Sequence, residues 1–128
     1  MSAGLPTEGT NAQQPRLVDV VRRDVPTCSL EERLGDVRRR VGAAGWEACV
    51  VVSDERVVLG LLRAAELQAD PGLLVERVMR PGPSTYRPFV SVAEMRRIMT
   101  ERDLASSPVT TSDGKLVGIV TKKDVGAV

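Results

Sequence analysis

Shifted against itself by 58 places, the sequence falls into register without a gap. Val20 meets Val78, Val21 meets Met79, Leu34 meets Val92, Val37 meets Met95 and Val41 meets Met99. Further on, Trp46 meets Leu104, Val51 meets Val109, Val58 meets Leu116, Gly60 meets Gly118, and Leu61 and Leu62 meet Ile119 and Val120. Identities are few, but apolar positions coincide through both halves, and a shared register of that length marks an internal duplication. Each half is too small to bury an apolar sheet face alone, so the two halves must bury their faces against each other.

Each half carries the same order of local signals. Ser29-Leu30-Glu31-Glu32 has the form of a capping box, and Leu30, Leu34, Val37 and Val41 continue it at helical spacing. Ser91-Val92-Ala93-Glu94 does the same in the second half, with Val92, Met95, Ile98 and Met99 on one face. A strand pair follows each helix. Cys49 to Ser53 and Val57 to Leu62 flank Asp54-Glu55-Arg56, while Pro108 to Thr111 and Lys115 to Val120 flank Ser112-Asp113-Gly114, a strong hairpin signal. Short helices are expected next, over Ala64 to Gln68 and Lys122 to about Gly126. Asp70 and Pro71 are expected to cap a further helix, Leu73 to Met79, leading into the second half. Each unit thus reads as a short leading strand, helix, strand, strand, helix.

Composition removes several function classes. The chain has no histidine, so the usual general base, a common metal ligand and every imidazole-dependent triad are absent. Cys28 and Cys49 are isolated thiols without metal-ligand spacing and read as reduced structural residues; no metal site and no catalytic residue is assigned. Eighteen basic against 17 acidic residues leave a net charge of +1, which disfavours nucleic acid and anionic membranes as partners. One Trp, one Tyr and one Phe offer no stacking platform for single strands. No window approaches the ~20 apolar residues of a membrane span, and the N-terminus lacks a signal-type apolar stretch, so a cytoplasmic location is expected. Residues 1–15 are rich in Gly, Pro, Thr, Gln and Asn and are expected to form a disordered tail.

Gly118-Ile119-Val120-Thr121-Lys122-Lys123-Asp124 follows the second hairpin, Ser107-Pro108-Val109 opens its first strand, and Val78-Met79-Arg80-Pro81 leads into the unit. In these residues the chain, from about Leu17 to Val125, resembles the tandem CBS-domain (Bateman module) family. The resemblance implies an α+β fold of two βαββα repeats packed sheet to sheet about a pseudo-twofold axis. Repeat 1 would span 16–70 and repeat 2 would span 71–128, forming one domain. It also implies an adenosine-containing regulatory ligand, AMP, ADP, ATP or S-adenosylmethionine, in the cleft between repeats.

Carried onto this sequence, the resemblance gives Asp124 to the ribose hydroxyls and Thr121 to a phosphate, with Lys122 and Lys123 adding charge in the same turn. Val109 and Ile119 would wall the adenine, with Pro108 and backbone groups near Thr85 and Ser107 beside it. A structural reading of the same residues stands next to this one: Thr121 and Asp124 also form a capping box. In the first half Arg63 and Glu66 replace Thr121 and Asp124, which implies a degenerate or altered second site. Arg63 either fills that pocket or binds phosphate bidentately.

The arginines at 38–40 and 96–97 fall at matching helix positions among acidic neighbours and read as a solvated face rather than a phosphate groove, and the resemblance adds a homodimer interface through these helices as a further alternative. Trp46 is expected in core or interface packing. With the two repeats taking up nearly all the residues, the expected function is a non-enzymatic, stand-alone ligand sensor that signals to an effector protein. A dimerisation or interaction scaffold whose cleft binds nothing is the rival.

Overall fold

The computed structural model describes residues 14–126. The first unit contains β1 (Thr27–Cys28), α2 (Leu34–Ala43), β2 (Cys49–Val52), β3 (Val58–Leu62) and α3 (Ala64–Leu67). In the second unit α5 (Val92–Glu101), β5 (Ser106–Thr110), β6 (Leu116–Thr121) and α6 (Lys122–Gly126) repeat that order. Each unit is preceded by a leading segment: α1 (Leu17–Val20) for the first, and α4 (Val75–Val78) with β4 (Arg80–Pro81) for the second. The duplication is visible in the ladders. Strand β1 runs parallel to β2 with Cys28 opposite Val51, and 58 places on Tyr86 bridges Val109 in parallel. Both hairpins are antiparallel, and both shift register at the same point, after Val51 and after Val109.

The leading strands are exchanged between the units. Strand β4 pairs with β3 of the first unit, Gly60 opposite Pro81, and Arg22 pairs with Ile119 of β6 through backbone hydrogen bonds of 2.8 and 3.0 Å. Each hairpin would otherwise end in an open edge, and the other unit's leading strand covers it. This explains the two glycines that the repeat brings into register. A Cβ on Gly118 would lie 2.4 Å from the Arg22 carbonyl oxygen, and one on Gly60 would lie 3.0 Å from that of Arg80. The units are joined again at the hairpin ends, where Val57 bridges Lys115.

Strand periodicity sorts the apolar residues into three layers. Cys49, Val51 and Leu62 face α2, where Leu34, Val37 and Val41 complete one core. Val109 and Val120 face α5, where Val92, Met95 and Met99 complete another. Val50 and Leu61 point the opposite way and meet Leu116 and Ile119 of the second unit, forming a core between the sheets. This is the α+β arrangement of two βαββα repeats packed sheet to sheet that the sequence predicts.

Two local expectations are corrected. Helix α2 begins at Leu34, not at Ser29; the Ser29 amide does donate to Glu32 Oε2 at 2.8 Å, but within a turn. The real hydroxyl cap is Ser91, whose Oγ accepts from the Glu94 amide at 3.1 Å, and its counterpart under the 58-residue shift is Arg33, which cannot accept such a bond. The helix expected over Leu73 to Met79 is reduced to Val75–Val78, because Asp70 closes a tight turn by accepting from the Gly72 amide at 2.9 Å. Of the tail expected over residues 1–15, all but Gln14 and Pro15 lie outside the described residues; the Pro15 carbonyl accepts from the Val92 amide at 3.0 Å.

Candidate functional site

A cleft of about 710 Å³ opens where the two hairpins run into their short helices. Arg63 and Ala65 line it from the first unit, and their counterparts Thr121 and Lys123 line it from the second, so it straddles the axis relating the repeats. Ile119 forms apolar wall, and Trp46 and Arg22 complete a third side. The volume falls within the range of small-molecule sites. Arg22 stacks over Trp46, with its guanidinium carbon 5.8 Å from the ring centroid.

Asp124 sits beside this cleft and is already held. Its Oδ2 accepts from Arg22 Nε at 2.7 Å and from the Thr121 hydroxyl at 2.8 Å, while Oδ1 accepts from Arg22 Nη2 at 3.0 Å. Thr121 Oγ1 in turn accepts from the Asp124 amide at 3.1 Å, which caps α6. The Arg22 hydrogen bonds, helped by Thr121, hold the Asp124 carboxyl below its ordinary range against an upward push from burial. A carboxylate offers about four lone-pair sites, and three are occupied here. Gripping two ribose hydroxyls therefore requires Arg22 to let go.

The first unit repeats the arrangement with looser contacts. Glu66 Oε1 accepts from the Arg63 amide at 2.8 Å, Arg63 Nε lies 3.5 Å from the same oxygen, and Arg80 Nη1 lies 4.0 Å from Oε2. Arg80 is the 58-residue counterpart of Arg22, so each exchanged leading strand sends one arginine onto the acid of the other unit.

Of the residues singled out from the sequence, Thr121, Ile119 and Arg63 line the cleft. Lys122 is exposed, and its amide donates to the Ala105 carbonyl at 2.8 Å. Val109 is fully buried in the core beneath α5. The Pro108 carbonyl accepts from the Tyr86 amide at 3.2 Å, and Ser107 Oγ donates to the Ser84 carbonyl at 3.2 Å. Thr85 Oγ1 accepts from the Arg87 guanidinium. These five, with Glu66 and Asp124, stand off the lining of this cleft. Lys123, read from the sequence as adding charge in this turn, lines the cleft; sequence reading missed Arg22 and gave Trp46 packing alone, whereas the ring packs against the first and the inter-sheet cores and also faces the cleft. The signal for Arg22 was present, because the register that pairs Val20 with Val78 and Val21 with Met79 continues to Arg22 and Arg80.

The helical arginines divide by partner. Arg39, Arg40 and Arg97 form ion pairs with Asp36, Glu32 and Glu94 or Glu101 on an exposed face. Arg38 and Arg96 instead reach the Ala69 and Val125 carbonyls and tie each long helix to the end of its own unit. Among the described residues no cluster of three His, Cys, Asp or Glu has metal-binding geometry, and no helix is long and apolar enough to cross a membrane.

Residues 75–125 match the CBS domain family. Over 111 residues the chain is 32% identical to an inosine-5'-monophosphate dehydrogenase of Korarchaeum cryptofilum, covering 86% of this chain and 23% of that protein. It is 35% identical over 99 residues to the magnesium transporter MgtE of Thermus thermophilus, covering 76% of this chain and 22% of that one. The chain thus spans less than a quarter of either relative. The solved cytosolic domain of the Mg2+ channel MgtE in complex with ATP superposes with a TM-score of 0.81 at 24% identity, covering 93% of this chain and 51% of that one. CBSX2 in complex with AMP does so with 0.81 at 20% identity, covering 88% and 94%. With its duplicated βαββα units, exchanged leading strands and matching sequence, the chain belongs to the CBS-domain family, as a tandem pair of repeats.

Proposed function

We propose that the chain is a regulatory module that takes an adenosine-containing ligand in the cleft between its repeats and communicates occupancy to a partner protein, without reaction chemistry of its own. The observation that carries this reading is the cleft of about 710 Å³ lined by equivalent residues of both units, Arg63 and Thr121 among them. A ligand there touches both repeats at once, so it favours whichever inter-repeat arrangement it fits best, and that preference is what a partner can read. In this reading Asp124 takes the ribose diol once Arg22 is displaced, and Thr121 and the start of α6 face a phosphate. The complexes of the similar proteins with ATP and AMP support the ligand class. S-adenosylmethionine stays in the test set as an adenosine compound of opposite charge. A homodimer and a cytoplasmic setting belong to the same proposal, the first checked by light scattering on the purified chain.

Thermal melting with AMP, ADP, ATP and S-adenosylmethionine tests it. A ligand at 100 times its dissociation constant stabilises the fold by about 2.7 kcal/mol, several degrees for a domain of this size. The engagement of Asp124 by Arg22 and Thr121 favours a second reading, an interaction scaffold in which the carboxylate is purely structural. If no adenosine compound shifts the melt, the scaffold reading replaces the sensor. If Asp124→Ala lowers the melting temperature yet leaves a ligand shift intact, the carboxylate is a cap and not a ribose partner.

A further inference from the structure

The two units place different chemistry at one equivalent position of a shared cleft. Where the second presents the short neutral hydroxyl of Thr121, the first presents the guanidinium of Arg63. Arg63 is weakly committed. Its one ionic contact among the described residues is the 3.5 Å approach of Nε to Glu66, an acid whose Oε1 already accepts from the Arg63 amide at 2.8 Å. Its side chain is about a third exposed. Lys123, from the equivalent turn of the second unit, lines the same cleft, and Arg22 stands at its edge. The acids of the lining, Asp24 and Glu47, are both exposed.

We infer that Arg63 makes this cleft selective for a nucleotide bearing two or more phosphates, over a monophosphate and over the cationic S-adenosylmethionine. The inference rests on the adenosine-ligand reading given above and adds the part of the ligand that Arg63 recognises. A guanidinium forks onto phosphate oxygens through two parallel N–H bonds, whereas a threonine supplies one hydroxyl. Arg63 and Lys123 come from opposite units, so a phosphate chain long enough to meet both bridges the repeats, and a single phosphate beside Thr121 meets fewer of these donors. A ribose taking Asp124 also frees Arg22, which then adds a third cation to the same anion. A positively charged sulfonium ligand gains from none of these groups.

Trp46 is the only tryptophan and lines the cleft, so its fluorescence reports binding directly, with calorimetry as an independent measure. Titrations of the intact chain with ATP, ADP, AMP and S-adenosylmethionine, without divalent cation, are expected to give ATP and ADP dissociation constants at least about tenfold below those of the other two, the scale of one charge-assisted contact. Arg63→Thr, which copies the second unit's residue at a position about a third exposed, is expected to bring ATP and AMP within about threefold of each other by weakening ATP more than AMP. AMP or S-adenosylmethionine binding as tightly as ATP to the wild type overturns the inference and leaves the adenosine reading standing. An equal weakening of ATP and AMP in Arg63→Thr does the same. Absence of saturable binding by all four removes both.

Discussion

The two acidic residues at the ends of the repeated motif differ in how they are held. Asp124 is clasped by two hydrogen bonds from Arg22 at 2.7 and 3.0 Å and by the hydroxyl of Thr121. Glu66 faces two arginines, yet neither approaches closer than 3.5 Å, and its strongest bond is to a backbone amide. The backbones are equivalent and the arginines at 22 and 80 arrive by equivalent routes, so the difference lies in the side chains. A short acid beside a threonine is drawn into a compact network. A longer acid beside an arginine serves as a helix cap, and the arginine is left to the cleft. Duplication thus fixed where functional groups stand, and substitution then gave the copies different work.

The largest expected break in the symmetry is at the paired glycines. At Gly118 an added methyl meets the Arg22 carbonyl oxygen, which can move only with the strand; at Gly60 the nearest atom is the sulfur of Met79, which can swing aside. Gly118→Ala should therefore destabilise by about 3 kcal/mol and Gly60→Ala by about 1 kcal/mol in urea unfolding. Equal costs would mean that the strand exchange is no tighter on one side than on the other.

The hairpin turns give the next test. Gly114 has φ +87, and its counterpart Arg56 holds φ 67, a left-handed conformation that costs a side-chain-bearing residue energy. Arg56→Gly is expected to stabilise by about 0.5 kcal/mol, and Gly114→Ala to destabilise by about 1 kcal/mol. A stabilising Gly114→Ala would contradict the backbone equivalence of the two turns.

Neutralising the acids probes the motif itself. Asp124→Asn should cost about 0.5 kcal/mol and Glu66→Gln less, because the arginine partners of both are largely solvated. The smallest effect is the pH dependence. Arg22 holds Asp124 below its ordinary 3.8. Burial pushes Glu32 up, but the Ser29 amide and Arg40 together outweigh it and leave that carboxyl below its ordinary 4.5. A lowered carboxyl contributes stability that is complete above its unfolded value and lost as pH falls through the folded one. Chemical denaturation should therefore show a flat profile from pH 5 to 8, consistent with the absence of histidine, and a decline below about pH 4.5. In Asp124→Asn part of the decline below pH 3.8 should disappear.

Much of the fold was legible in the sequence because periodicity and duplication reinforce each other. The hairpin turns at 54–56 and 112–114 stand where the residues suggest. What escaped was non-local. No spacing rule says that Arg22 crosses to β6, since that contact arises from one strand covering the edge of the other sheet. The start of α2 was misread for a related reason: Ser29 and Glu32 satisfy a box pattern, but their bond closes a turn ahead of a helix that begins at Leu34. At the site, the family resemblance led to Thr121 and the repeat led from it to Arg63, while the engagement of Asp124 by a residue 102 positions away depended on the assembled fold.

Because each leading strand is donated across the molecule, neither repeat is a self-sufficient folding unit. Severing the chain near residues 70–72 would strip each fragment of the edge strand its partner supplies, so the pieces should remain clamped together in solution and come apart only on global unfolding. Duplication here produced an interlocked whole, in which a perturbation at the start of the chain is felt at once beside its end.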